Sequence, residues 1–298
     1  MDSLSNKVVI TGINGFTGKY LKKYLEENNY VVYGISNQIE DNDSSIFQCD
    51  ITNIEEIKAI LIKLQPNYIF HFAAISFVQH EDIQEIYNVN VIGTQNLLDA
   101  CLEIQTSIKK IILASSATVY GNQSQTILDE KLCPSPNNHY GISKLAMEFM
   151  AKTYFQKLPI LITRPFNYTA PGHGEMFVIP KIAKAFKTKA TTLELGNLDV
   201  YREYNSIAYV CEVYFKLMQS DASSEIVNIA SGETHSLKAI ISQFEAASNH
   251  NITVKINPLF IRNEETFRLA GATQKLSTLI ELPNNNSIDA VIKSFLLE

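Results

Sequence analysis

Cysteine is scarce: four residues in 298, Cys49, Cys101, Cys133 and Cys211, stand far apart and never as a Cys-x-x-Cys pair. That excludes a disulfide framework and a cysteine zinc site, and leaves free thiols as the expectation. The six histidines contain no His-Glu-x-x-His pattern, so no protein metal centre is expected. No apolar run approaches the ~20 residues that cross a bilayer. The stretch Met1-Asp2-Ser3-Leu4-Ser5-Asn6-Lys7 lacks the charged and apolar regions of a signal peptide. A cytoplasmic protein without membrane contact is expected. Basic charge is also short, with 25 Lys and Arg against 31 Asp and Glu and a net charge of −6. Nucleic-acid binders usually present a basic face, so that partner is disfavoured, whereas a nucleotide held by a few placed groups is not.

What is present is an alternation of short apolar strands with helices. Lys7 to Thr11 reads as a buried strand that runs into Gly12-Ile13-Asn14-Gly15-Phe16-Thr17-Gly18, followed by an amphipathic helix carrying Leu21 and Leu25. Glycines at this spacing allow a tight turn, close approach of backbone to a pyrophosphate, and close helix packing. The helix N-terminus adds N–H donors and a positive dipole end. The other reading is an ordinary Gly-rich turn. Tyr30 to Ile35 forms the second strand, followed by Ser36, Asn37 and Gln38. A carboxylate at that strand end would select NAD, and none stands there before Glu40 and Asp41. No arginine stands there to hold a 2′-phosphate either. Ser36 and Asn37 can hydrogen-bond either cofactor, and the reading leans towards NADP with NAD as the alternative.

Phe47 to Asp50, Pro66 to Ala74 and Lys110 to Ser116 read as further strands, with helices over Ile54 to Leu64 and Tyr87 to Cys101. The pattern predicts an α/β fold, a Rossmann-type doubly wound parallel sheet whose ligands lie beyond the strands' C-terminal ends. Ser115 and Ser116 sit at such an end. Ser116 can donate to a carbonyl or alkoxide, or simply cap the following turn. Tyr140-Gly141-Ile142-Ser143-Lys144 enters a helix, which puts phenol and ammonium on one face, where the cation can lower the phenol's pKa. Taken alone, Arg202 and Arg262 read more readily as solvated surface charges than as ligand contacts, and Ser231 to Ser236 as a turn before a helix from Leu237 to Ala247.

These motifs in order, Gly12-x-x-Gly15-x-x-Gly18, Asp50-Ile51-Thr52, His71-Phe72-Ala73-Ala74, Asn90, Ser115-Ser116, Tyr140-x-x-x-Lys144 and Arg164-Pro165-Phe166-Asn167, resemble the extended short-chain dehydrogenase/reductase family over nearly the whole chain. Within it the chain looks most like the branch of GDP-mannose 4,6-dehydratases and NDP-4-keto-6-deoxyhexose reductases. The resemblance implies a Rossmann domain over residues 1–165 and a smaller C-terminal α/β domain for a sugar nucleotide over 166–298, with later segments returning to the first.

Ser116, Tyr140 and Lys144 are its implied catalytic residues. Its implied cofactor contacts are Gly12, Asn14, Gly15, Phe16, Thr17 and Gly18 in the turn, Ser36 and Asn37, Asp50 and Ile51 at the adenine, Phe72, Ala73 and Ala74, Asn90 and Ala114, with Tyr140 and Lys144. Substrate contacts fall on Ser76, Ser116, Thr118, Asn167, Val178, Lys181, Arg202, Arg262 and Glu265. The family's dehydratases carry a glutamate two residues after the catalytic Ser/Thr, and Thr118 stands there instead. A threonine cannot serve as that base. A second departure is Arg202-Glu203-Tyr204, where relatives usually carry Arg-Asp-Phe.

The expectation is therefore an NAD(P)H-dependent reduction of the C4 keto group of a GDP- or dTDP-linked 4-keto-6-deoxyhexose, for surface polysaccharide synthesis, by a homodimer. The alternatives are an NAD-dependent NDP-sugar 4-epimerase, then a 4,6-dehydratase. A non-catalytic cofactor sensor on the same fold is the reading of another class, and the intact Tyr140 and Lys144 argue against it.

Overall fold

A strand buried on both faces reads as a continuous apolar run, and β1 (Lys7–Thr11) supplies one in Val8, Val9 and Ile10. Val8 and Ile10 enter the core on one side of the sheet while Val9 enters the core on the other. The computed structural model describes residues 6–38, 43–76, 80–261 and 267–297. Beside β1 lie β2 (Val31–Ser36), β3 (Ile46–Gln48), β4 (Tyr68–His71) and β5 (Lys110–Ala114). The sheet order is Glu225–Ile229, Ile160–Pro165, β5, β4, β1, β2, β3, and each neighbouring pair is parallel. The chain runs outward from β1 in both directions. The switch between β1 and β4 is where such a sheet opens a crevice for ligand.

Helices α1 (Phe16–Glu27), α2 (Ile54–Leu64), α3 (Ile83–Tyr87), α4 (Thr94–Leu102), α5 (His139–Lys152), α6 (Val178–Lys187), α7 (Ile207–Gln219), α8 (Leu237–Ser248), α9 (Gln274–Leu279) and α10 (Ile288–Leu297) follow in chain order. α1 and α7 share one core through Leu21, Leu25, Val210 and Tyr214. α2, α4 and α5 share the opposite one through Ile57, Leu97, Leu98 and Met147. A third core joins α6, α8 and α10 through Ile182, Phe186, Phe244 and Ile292. It also takes in residues of the parallel pair Thr192–Leu195 and Thr253–Ile256. Among the described residues no helix is long and apolar enough to cross a membrane.

Local signals place several elements where the sequence predicts them. α2 spans Ile54–Leu64 because the Asn53 side chain accepts the Glu56 N–H, Glu55 and Glu56 occupy its first turn and Lys63 its last. The predicted helix from Tyr87 to Cys101 is instead α3, a π-helical turn at Asn88–Gly93, and α4. At that turn Asn90 is fully buried: its Oδ1 accepts the Ile75 N–H at 2.8 Å and its Nδ2 donates to Ile75 O at 3.1 Å and Ser143 Oγ at 3.0 Å. The inserted residue of a π-bulge turns that amide inward. β3 ends at Gln48, short of Asp50. The sheet also continues past Arg164, because Glu225–Ile229 returns to pair with Ile160–Pro165.

Candidate active site

The glycine turn is shaped by close backbone approach. Gly12 has φ +70° and donates its N–H to Ile35 O at 2.8 Å, and a Cβ there would lie 2.7 Å from Ala73 N. Gly18 lets α1 pack on the turn, since a Cβ would lie 2.5 Å from Gly12 O. Gly15 is the N-cap of α1, which has no side-chain cap bond and no acid in its first turn. Its first N–H donors and dipole end are left for an anion. Asn14 Nδ2 donates to Ser36 Oγ at 3.3 Å and Gln38 O at 2.8 Å, tying the turn to the end of β2. Ser36 is buried and Asn37 exposed. Phe72, Ala73 and Ala74 follow β4 directly. A cradle that a side chain would fill, beside an uncapped helix end, fits a dinucleotide pyrophosphate. Asp50 is exposed and its Oδ1 accepts from Thr52 N and Oγ1, while Ile51 is buried against Gly93. Glu40 and Asp41 lie outside the described residues.

His71 links this turn to the helix that carries the tyrosine. Its Nδ1 lies 2.7 Å from Thr11 Oγ1 and its Nε2 2.8 Å from Thr94 Oγ1. Thr94 donates to Asn90 O at 2.8 Å, so its oxygen accepts from His71 Nε2–H and the Nδ1 accepts from Thr11. Asn90 then donates to Ser143, and Ser143 to Tyr140 O at 2.8 Å. Burial pushes His71 down to about 3, with the Lys144 charge adding to it. An unfolded histidine takes up its proton near 6.5 and the folded one near 3, so in that window the unfolded state binds more protons and stability falls as pH falls. At ~1.4 kcal/mol per unit, acidification from neutrality is expected to cost several kcal/mol. Urea unfolding at successive pH values should show that slope, and His71→Gln should flatten it.

Asn138 fixes the start of α5, its Oδ1 accepting the Gly141 N–H at 2.9 Å, which places Tyr140 in the first turn. Lys144 is one turn further on and buried, with Nζ donating to Ala114 O at 2.8 Å at the end of β5. Ser116 Oγ accepts the Thr118 N–H at 3.1 Å and donates to Thr118 Oγ1 at 2.9 Å. It also lies close enough to the Tyr140 phenol for its hydroxyl to favour the phenolate. The serine thus caps the turn Ala117–Tyr120 and meets the tyrosine at once. Burial pushes the Tyr140 phenol up to about 12, against the Ser116 hydrogen bond. Burial pushes Lys144 down to about 8, against the Glu148 carboxylate. The expected lowering of the phenol by the lysine does not appear: burial raises the phenol, and the group that opposes the rise is Ser116. Tyr140 is therefore held protonated across neutral pH, as a proton donor requires.

On the substrate side, Asn167 is exposed and its carbonyl accepts the Asn205 N–H at 2.9 Å. Val178 opens α6, and Lys181 Nζ donates to Glu194 O at 2.8 Å and lies 4.3 Å from the Phe260 ring centre. Arg202 sits on a short strand and donates to Tyr201 O at 2.8 Å. Ser76 is exposed. Arg262 and Glu265 lie outside the described residues.

Other groups shape the site around these residues. His173 is stacked between Phe16 at 4.3 Å and Phe177 at 4.0 Å, and Tyr168 OH meets Thr17 Oγ1 at 2.7 Å. These contacts dock the loop after Asn167 on the start of α1. Glu203, where relatives usually carry aspartate, is buried and accepts from Asn205 Nδ2 and from the backbone N–H groups of Ser231, Gly232 and Gly271. Burial raises its pKa while those donors oppose the rise. Ser231 and Gly232 thereby hold the short strands around Arg202 together. Of these, the sequence signalled Glu203, through its departure from the Arg-Asp-Phe that relatives usually carry.

A parallel sheet wound outward from β1, a glycine turn at its switch point, and serine, tyrosine and lysine gathered at the end of β5 define an extended short-chain dehydrogenase/reductase. Residues 9–295 match the family model described as GDP-mannose 4,6 dehydratase, and the chain belongs to that family. It is 33% identical to a GDP-6-deoxy-D-talose 4-dehydrogenase of Aggregatibacter actinomycetemcomitans, over 92% of this chain and 91% of that one. It is 25% identical to a GDP-6-deoxy-D-mannose reductase of Pseudomonas aeruginosa, over 92% and 90%. Among solved structures, a Burkholderia cenocepacia protein provisionally called an epimerase superposes with TM-score 0.91 at 32% identity, covering 99% of both chains. A UDP-glucuronic acid 4-epimerase from Bacillus cereus, solved with UDP-glucuronic acid and NAD, does so with TM-score 0.85 at 25% identity, covering 97% and 98%.

Proposed function

We propose that this protein reduces the C4 keto group of a nucleotide-activated 4-keto-6-deoxyhexose, GDP-linked before dTDP-linked, with NADPH preferred over NADH. The observation that carries the reading is the hydroxyl cluster of Tyr140, Ser116 and Thr118, with Thr118 Oγ1 2.9 Å from Ser116 Oγ where a dehydratase would place a carboxylate. A bound nicotinamide dinucleotide supplies the hydride. Ser116 holds the carbonyl oxygen, and Tyr140 gives its proton to the oxygen as the new C–H bond forms at C4. A sugar alkoxide is a stronger base than a phenolate, so a phenol held near 12 still donates. Lys144 keeps a positive charge beside the phenolate that results and orients the ribose. The glycine turn with Asn14, Ser36 and Ala73 seats the dinucleotide, and Asn167, Lys181 and Arg202, joined by Arg262 and Glu265, receive the sugar nucleotide.

The relatives named for a GDP-6-deoxyhexose dehydrogenase and a reductase support this reading, and the absence of a carboxylate at Thr118 sets dehydration aside. Purified protein given NADPH and GDP-4-keto-6-deoxyhexose should consume the reductant in proportion to sugar. Inversion of an NDP-sugar at C4 without added reductant would instead make it an epimerase, the reading that likeness to an epimerase structure favours second.

The proposed assembly is a homodimer. Ile83, Ile92, Ile142 and Phe149, on the α3 to α4 segment and on α5, are 39–59% exposed large apolar side chains. Two copies packed there would cover them as a four-helix contact. Light scattering should report a dimer, and Phe149→Glu combined with Ile142→Glu should yield monomer.

A further inference from the structure

The catalytic steps above leave unused the most deeply buried ion pair next to them. Glu148 on α5 is 0% exposed and Arg164 on strand Ile160–Pro165 is 2% exposed. Arg164 Nη2 donates to Glu148 Oε2 at 2.6 Å and Nε to Oε1 at 2.9 Å, a two-bond fork. Ser115 Oγ donates to Glu148 Oε1 at 2.6 Å. The guanidinium lies 4.8 Å from the Tyr120 ring centre, and Tyr120 in turn donates to Asn228 Oδ1 at 2.7 Å. Buried pairs of this kind seldom add net stability over apolar residues of the same volume. Their cost calls for another role.

Position supplies one. Tyr140, Lys144 and Glu148 are spaced four apart, so they form one stripe on α5. Ser115 ties the carboxylate to the residue next to Ser116. We propose that Glu148 is a positioning residue that keeps Lys144 a cation beneath Tyr140, with Arg164 anchoring it and Ser115 coupling it to the serine loop. This rests on the reading of Tyr140 and Lys144 as the proton-delivering pair. Lys144 is faced by Tyr140 and Glu148 from its own helix, by His71 from β4 and by the Ala114 carbonyl from β5, with Arg164 standing behind Glu148. His71 is neutral at working pH. Glu148 is thus the anion of the group, and its charge opposes the desolvation that pulls Lys144 down.

The test is a titration of 13C-labelled lysine followed by NMR, with the Lys144 signal assigned as the one missing from Lys144→Met. Glu148→Gln should lower the Lys144 pKa by roughly one unit or more and move the alkaline limb of the kcat profile down with it. Glu148→Asp, which shortens the side chain but keeps the charge, should stay near wild type. Glu148→Gln with Arg164→Met should recover thermal stability relative to Glu148→Gln alone, because the Arg164 guanidinium is no longer buried without its carboxylate, yet keep Lys144 depressed. If the Lys144 pKa returns to wild type along with stability in the double variant, or if Glu148→Asp matches Glu148→Gln, the pair is structural only and the proposal is overturned. The titration needs no substrate. A wild-type protein that reduces no keto sugar would refute the proposed reaction and leave this result standing.

Discussion

Tyr140→Phe is expected to lose about 10²- to 10⁴-fold in kcat while its dinucleotide affinity and melting temperature stay near wild type. The phenol lies in the first turn of α5, within hydrogen-bond reach of Ser116, and burial keeps it protonated up to about 12. Phenylalanine preserves the ring and the packing and removes the phenolic proton. The hydroxyl's loss leaves Ser116 bonded to Thr118, so the serine's own turn survives. Steady-state kinetics alongside dinucleotide titration by fluorescence separates the two effects. Equal losses in kcat and in cofactor affinity would mean that Tyr140 acts through binding and not through proton transfer.

Gly12→Ala is expected to damage the other half of the site. Its φ of +70° disfavours any Cβ, and the added carbon would lie 2.7 Å from Ala73 N and 2.9 Å from Phe72 C. Left-handed backbone costs about 1–3 kcal/mol for a non-glycine, and displacing packed backbone costs about 1–3 kcal/mol more. The turn is pinned to Ile35 O and faces Ala73, so it cannot relax without moving β2 or the end of β4. At ~1.4 kcal/mol per tenfold, the NADPH dissociation constant should rise at least about tenfold, with a lowered thermal midpoint. Gly15→Ala makes a gentler comparison, since its Cβ would meet Gly12 O at 3.1 Å at a permitted φ. Calorimetric titration of both variants with NADPH checks the order.

What the sequence made legible was whatever is encoded locally. The β1 strand, the glycine turn and α2 stand where apolar period, glycine spacing and capping residues put them. The placing of Ser116 just past a strand end and of Tyr140 and Lys144 at a helix start was also legible, because each can be read from a few residues. Long-range partnership was not. Nothing around Glu225–Ile229 announces that it will pair with Ile160–Pro165, and nothing near Arg164 names Glu148 as its partner. The π-helical turn at Asn88–Gly93 follows from where Asn90 finds Ile75 and Ser143, both distant in sequence. The expected lowering of the Tyr140 phenol differs from the structure for the same reason. A charge four residues away is visible in the sequence, whereas the burial that raises the phenol belongs to the packed site.

The choice of reaction rests on Thr118. With a hydroxyl where the resemblance puts the dehydratases' carboxylate, Thr118 offers no base to take a carbon-bound proton, and this is why the proposed reaction is a reduction. The most direct measurement is mass spectrometry of the sugar nucleotide after incubation of the protein with deuterium-labelled NADPH and GDP-4-keto-6-deoxyhexose. Transfer of one deuterium to the sugar, matched by loss of nicotinamide absorbance and abolished in Tyr140→Phe, is the result predicted. An unlabelled sugar inverted at C4, loss of water from GDP-mannose, or no change with any keto-sugar nucleotide would contradict it.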